Sequence, residues 1–244
     1  MKKRKIAKFI LTKFIPLPIS KSIISLYGIL KPPKQSFSQK GEDILVNSFF
    51  SKREKGYYLD IGSFHPKWIS NTFLLHKAGW YGTAIDIDEY KLRIFKLLRG
   101  SRVNTIKSAI VPFPVKNSKV NVYKFFSQRG WSDIDTLDLK TAEKLQSNGR
   151  GEYAIEKVNA LDINSLLESL PKVDFLNIDI EGLDTQVVNA INLEKFKIDV
   201  ILFEDTINYG GSPQIRKKLE DNGYFHLFTS GGSVCFALKN KLNF

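Results

Sequence analysis

The chain has 244 residues, 43% hydrophobic and 25% charged, a globular balance too apolar for disorder throughout. Its one cysteine, Cys235, excludes an intramolecular disulfide, and the absence of any Cys/His cluster excludes a structural zinc site. The net charge of +12 is concentrated in residues 1–41, which hold ten Lys or Arg and no acid; the remainder, with 27 basic and 25 acidic residues, is nearly neutral and unlike a nucleic-acid-binding surface.

Residues 1–35 read as a basic amphipathic arm. Lys8 and Lys13 interrupt its apolar stretch, no small-residue cleavage site follows closely, and no run of about 18 apolar residues occurs anywhere. Neither a signal peptide nor a spanning helix is therefore expected. Ile6, Phe9, Ile10 and Phe14 form an apolar stripe beside lysines. Such a segment either packs on the domain or lies on an anionic membrane surface. Pro16, Pro18, Pro32 and Pro33 mark the boundary, and one domain is expected over residues 36–244.

Residues 40–50 suit a short helix. Strand–helix alternation then begins. Residues 57–61 form a first strand and 71–78 a helix stopped by Gly79. Residues 83–87 form a second strand, 90–98 a helix ended by Gly100, and 103–110 a third strand. Residues 120–126 have strand composition, and 127–152 read as a polar insertion or long loop containing Trp131. Residues 153–158 suit a strand, and 162–170 a helix with Asp162 as N-cap. Residues 173–179 form the fourth core strand, 185–191 its helix, and 199–204 the fifth strand. The last helix spans 212–222, with Pro213 in its first turn and Gly223 at its end. Residues 224–228 and 233–238 flank a Thr-Ser-Gly-Gly turn and read as a closing hairpin. The alternation predicts an α/β fold with a parallel sheet, an antiparallel strand at one edge, and a ligand beyond the carboxyl ends of the strands.

Those strand ends carry acids and glycines: Asp60 and Gly62, Asp86 and Asp88, Asp179 and Glu181, Glu204 and Asp205. A packed core has no use for unpaired carboxylates, so they should face one crevice. Gly62 allows close backbone approach to a ligand. Asp86, 24 residues on, suits a hold on ribose hydroxyls. Phe64 and Lys67 replace the later glycines that a pyrophosphate loop needs. That disfavours NAD, FAD and P-loop nucleotides. S-adenosylmethionine, a nucleoside with a cationic, phosphate-free tail, fits the acids.

Three stretches resemble the FkbM-type S-adenosylmethionine-dependent methyltransferases. They are Ser38-Gln39-Lys40-Gly41-Glu42-Asp43; the run from Leu59-Asp60-Ile61-Gly62 through His65-Pro66 and Ser70-Asn71-Thr72 to Gly79-Trp80-Tyr81-Gly82; and the run from Val173-Asp174 to Asn177-Ile178-Asp179-Ile180-Glu181-Gly182. The likeness covers residues 36–240, not the arm. It implies a Rossmann-like class I methyltransferase fold with a mostly parallel seven-stranded sheet and an antiparallel C-terminal hairpin. It further implies that Asp60, Gly62 and Ser63 line the methionine end of the cofactor, that Asp86 holds the ribose, and that Ser108 and Ala109 lie near the adenine. Asp179 would sit beside the transferring methyl, and Glu42 would help close the pocket.

A sulfonium is an activated methyl donor, so the enzyme mainly aligns the acceptor. A hydroxyl acceptor also loses a proton to a base, for which Asp179, Glu181 and His65 are candidates. Each has a plainer role: His65 as loop anchor, Asp179, Glu181 or Asp184 as cap of the following helix. Asp179 and Glu204 could offer oxygens to a divalent ion, but no third ligand is identifiable and no metal is expected. His76, His226 and Cys235 read as structural, Trp68 and Trp80 as packing or stacking groups. The resemblance implies O-methylation of a hydroxyl, often on a sugar of a glycan or related metabolite; a cytoplasmic protein is expected, and the basic arm, which the resemblance does not cover, could bring it to the inner face of a membrane. A nucleic-acid methyltransferase lacks support, since no Asn-Pro-Pro-Tyr-like or Pro-Cys signature is present. A non-catalytic cofactor-binding module is the third reading, and the retained acids speak against it.

Overall fold

The structure, a computed structural model, describes residues 35–115, 119–125, 134–205 and 212–241. The arm, apart from Gln35, and Trp131 lie outside the described residues, and with them the membrane contact expected of the arm. No helix among the described residues is long and apolar enough to cross a membrane.

In chain order the elements are α1 (Glu42–Phe49), β1 (Tyr57–Ile61), α2 (Phe73–Lys77), β2 (Tyr81–Asp86), α3 (Glu89–Arg99), β3 (Val103–Lys107), β4 (Ala109–Val111) and β5 (Lys119–Phe125). They continue as α4 (Leu139–Ser147), β6 (Tyr153–Asp162), α5 (Ile163–Ser169), β7 (Phe175–Ile178), α6 (Asp184–Ala190), β8 (Val200–Glu204), α7 (Pro213–Asp221), β9 (Tyr224–Ser230) and β10 (Ser233–Leu238). Seven strands form the main sheet in the order β3-β2-β1-β7-β8-β10-β9. The pairings from β3 through β8 are parallel, and β10 is antiparallel to both β8 and β9.

Period-two alternation sorts this sheet's side chains onto two covered faces. Leu59, Ile61, Ile85, Leu176, Ile178, Ile201, Phe203, Val234 and Phe236 pack on one face with residues of α5, α6 and α7. Tyr58, Phe175, Val200, Leu202, Cys235 and Ala237 pack on the other with Val46 of α1, Leu75 of α2 and Trp80. Burying each large side chain stabilises the fold by roughly 1.5–3 kcal/mol. Asp162 caps α5 as the sequence predicts, accepting from Ser165 N at 2.9 Å, and Ser212, expected inside the last helix, caps α7 by accepting from Ile215 N at 3.3 Å.

Three expectations change. The antiparallel strand is not at the edge, since β10 inserts between β8 and β9. Val234, Cys235, Phe236 and Ala237 are all buried and suit an interior strand, whereas β9 carries half-exposed polar positions that suit the edge. Residues 103–110 are not one strand. Ser108 breaks it, with its N–H donating to Asp86 O and its hydroxyl to Asn159 O, and β4 leaves to join a second sheet of order β4-β6-β5. Residues 127–152 are not wholly loop. Asp138 caps α4 by accepting from Thr141 N at 2.9 Å, and Ala142 packs against Tyr123 and Phe125 of β5. The polar outer face of α4 hides that single buried stripe from a composition argument.

Candidate active site

Strand order reverses between β1 and β7, so the turns leaving them open a crevice. A cavity of about 390 Å³ lies there, with a smaller recess of about 60 Å³ beside it. Gln39, Gly62, Phe64, Asp179 and Glu204 line both. The register places Asp60 opposite Asn177 and Ala84, and Asn177 opposite Leu202. By alternation Asp60, Asp86, Asn177 and Glu204 therefore share one sheet face.

Asp60 is buried and lines the recess. Its Oδ2 accepts from Thr72 Oγ1 at 2.6 Å and its Oδ1 from Asn177 Nδ2 at 2.9 Å. Burial raises its pKa, while Arg99, Thr72 and Asn177 oppose the rise. Asn71 Nδ2 donates to Asn177 Oδ1 at 2.9 Å and completes that chain. Gly62 has φ 82, and a Cβ there would lie 1.7 Å from Asp179 O, so the glycine lets two turns meet. Ser63, expected beside the cofactor, is not among the residues lining either cavity; its hydroxyl donates to Asp60 O and accepts from Ile85 N, bracing β1 against β2. Glu42 opens α1 and lines the recess, accepting from Lys40 N at 2.9 Å.

At the far end of the cavity lie Asp86, Ser108 and Ala109. Asp86 Oδ1 accepts from Asp88 N at 2.7 Å, and its Oδ2 meets Lys91 Nζ at 3.3 Å in a buried ion pair. Burial raises Asp86, and Lys91 opposes that. Burial would depress Lys91, but Asp86, Asp135 and Asp88 together raise it, so it holds its charge. Val122 of β5, Ile134 and Leu137 of the segment leading into α4, and Leu145 of α4 give this end an apolar wall.

Asp179, Glu181 and Glu204 gather at the junction, with carboxylate oxygens within 4.8 Å of one another. Glu181 supplies the third oxygen that the sequence did not identify, and this spacing could hold a divalent ion. Burial pushes Asp179 well above the carboxylate range, and the nearby Asp184, Glu181, Glu204 and Asp60 push it the same way. Glu204 is raised by burial and by Asp184. Glu181 sits at φ 55, a left-handed conformation costing about 1 kcal/mol, and its carbonyl accepts from Thr136 Oγ1. None of the three acids offered as caps makes a side-chain cap bond to α6, whose N-cap is Leu183; Asp184 instead braces the preceding turn, accepting from Ile180 N at 2.9 Å and Gly182 N at 3.1 Å. Asp179 lines the cavity instead.

His65 Nδ1 accepts from the N–H groups of Lys67 and Trp68 at 3.1 and 2.9 Å. The ring proton is then on Nε2, the tautomer of a donor. His65 thus has the geometry of the loop anchor. Trp80, 1% exposed and 4.7 Å from the Phe50 ring, is core. Sequence reasoning did not single out Lys91, Asn177, Thr136 or Arg99 for the site. For Asn177 the signal was available, since it precedes Asp179 by one strand period.

Residues 60–225 match a family model described as the methyltransferase FkbM domain. Among curated proteins, none matches the chain. Among solved structures, the chain is similar to a TehB-like SAM-dependent methyltransferase from Corynebacterium glutamicum, with 11% identity, coverage of 92% of this chain and 100% of that one, and a TM-score of 0.41. It is also similar to an O-methyltransferase from Bacillus cereus in complex with SAH, with 10% identity, 96% and 97% coverage, and a TM-score of 0.39.

Proposed function

The chain belongs to the FkbM methyltransferase domain family, whose methyl donor is S-adenosylmethionine, and we propose that it methylates a hydroxyl of a neutral sugar in a glycan or related metabolite. The observation that carries this reading is the acidic junction of Asp179, Glu181 and Glu204 in the cavity. Carboxylates accept hydrogen bonds from hydroxyls and repel phosphates, which favours a polyol over a nucleic acid. In this reading Asp86 accepts from the ribose hydroxyls, Ser108 and Ala109 flank the adenine, and Asp60, Gly62 and Glu42 surround the amino-acid end. Asp179 takes the proton of the acceptor hydroxyl. Its elevated pKa makes it a stronger base than an exposed carboxylate. Glu181 and Glu204 orient the acceptor.

Incubation with isotopically labelled donor and a panel of neutral glycosides, uronic acids, phosphorylated sugars and nucleic acids tests this. Label should enter neutral glycosides as a methyl ether, read by mass spectrometry. Label found only in nucleic acid, or only in anionic sugars, would overturn the reading. For the basic arm we assign contact with an anionic membrane surface. Deleting residues 1–35 should abolish co-sedimentation with anionic vesicles, and unchanged sedimentation would sink that assignment.

A further inference from the structure

Arg99 closes α3, where a basic residue reads as an ordinary partner of the helix dipole. Its side chain instead turns inward and the residue is 3% exposed. Nε and Nη2 donate to the Pro66 carbonyl at 3.0 and 2.6 Å, and Nη2 also donates to Ser70 Oγ at 2.8 Å. Nη1 donates to Thr72 Oγ1 at 2.9 Å and to the Tyr58 hydroxyl at 3.0 Å. The rings of Phe95, Tyr58 and Phe73 stand 4.8, 5.5 and 5.6 Å from the guanidinium carbon. All but one of these hydrogen bonds fall on the single segment that leaves β1 and lines both cavities.

The consequence for Asp60 follows from the valence of one hydroxyl. Thr72 Oγ1 has a single proton. Because Arg99 donates to that oxygen, the proton is directed onward, and Asp60 Oδ2 receives it at 2.6 Å. A lysine would supply one point charge in place of a planar fork and could not hold Pro66, Ser70 and Thr72 together.

We infer that Arg99 is a positioning residue for the cofactor: acting through Thr72, it fixes the Asp60 carboxylate beside the recess that takes the donor's cationic amino-acid end. This inference rests on the reading of the cavity as an S-adenosylmethionine site. Arg99 touches neither donor nor acceptor. It sets the affinity for one part of the donor and leaves the nucleoside end alone.

Calorimetric titration with two ligands tests this. S-adenosylhomocysteine has the amino-acid end, and 5′-methylthioadenosine has the nucleoside and thioether without it. Thr72→Val keeps the side-chain shape and removes the hydroxyl. It should weaken S-adenosylhomocysteine about tenfold, the loss of one charge-assisted hydrogen bond, and leave methylthioadenosine within about twofold. Thr72→Ser should restore the affinity. Arg99→Lys should show the same ligand-selective loss. If Thr72→Val and Arg99→Lys bind both ligands like the wild type, or lose both equally, Arg99 is a structural strut and the inference is wrong. If the wild type itself binds neither ligand, the cofactor reading falls first and this inference with it.

Discussion

Gly62 and Asp179 meet backbone to backbone, so that a Cβ on Gly62 would stand 1.7 Å from the Asp179 carbonyl oxygen. Asp179 N also donates to Ile61 O at 3.0 Å. The two turns that carry the site are thus one packed unit. Gly62→Ala adds a side chain at φ 82 and drives the turns apart. It should destabilise the protein by about 2–4 kcal/mol in urea unfolding and abolish donor binding. A loss below about 0.5 kcal/mol would show that the turns part freely.

Asp179→Asn removes the proposed base and little else. The turnover number should fall at least about 100-fold while donor affinity changes little. Stability should move the opposite way. A buried carboxyl whose folded pKa is raised contributes stability that is present at low pH and lost as pH rises through that raised value. The neutral amide escapes this loss, so the variant should melt higher than the wild type at pH 8 and gain less at pH 4. Full activity in the variant would move the base elsewhere.

Asp86 and Lys91 form a buried pair at the proposed ribose end. Asp86→Asn should weaken donor binding by about ten- to 100-fold, measured by calorimetry. Lys91→Met leaves the Asp86 carboxyl buried without its cation, which raises its pKa further. Protonated Asp86 accepts fewer hydrogen bonds from hydroxyls, so this variant should bind the donor worse at pH 6 than at pH 8. Equal affinity at both would argue against Asp86 as the ribose ligand.

His76 is buried in α2, and burial, with Arg99 and Arg102 nearby, lowers its pKa to about 4. The unfolded chain takes up a proton near the ordinary histidine value, and the folded one only near 4. Folding stability should therefore fall as pH drops from the ordinary value toward 4. His76→Gln should flatten that part of the wild-type curve, read as denaturation midpoints at pH 4.5 and 7. Parallel curves for the two proteins would refute a neutral buried ring.

The carboxylates at the strand tips were legible because each ends an apolar run, where a packed interior has no use for charge. Asp60, Asp86, Asp179, Glu181 and Glu204 reach the crevice or its walls, whereas Asp88 caps α3 and Asp205 accepts from Ser212 N, and these two line neither cavity. The reason for Gly62 was not legible, because its crowding partner is a carbonyl 117 residues on. Nor was Ser63, whose hydroxyl faces backbone. Nor was the part played by Arg99, since nothing local distinguishes an inward from an outward arginine at a helix end.

By itself the sequence determined the alternation of elements, the parallel sheet and the acid-tipped strands, because hydrophobic period, caps and glycine stops act over a few residues. Only the tertiary structure decided where β10 inserts, that β4 leaves for a second sheet, and which polar groups meet. Those outcomes depend on register and docking between distant segments, as when Asn177 reaches Asp60 across 117 residues of chain.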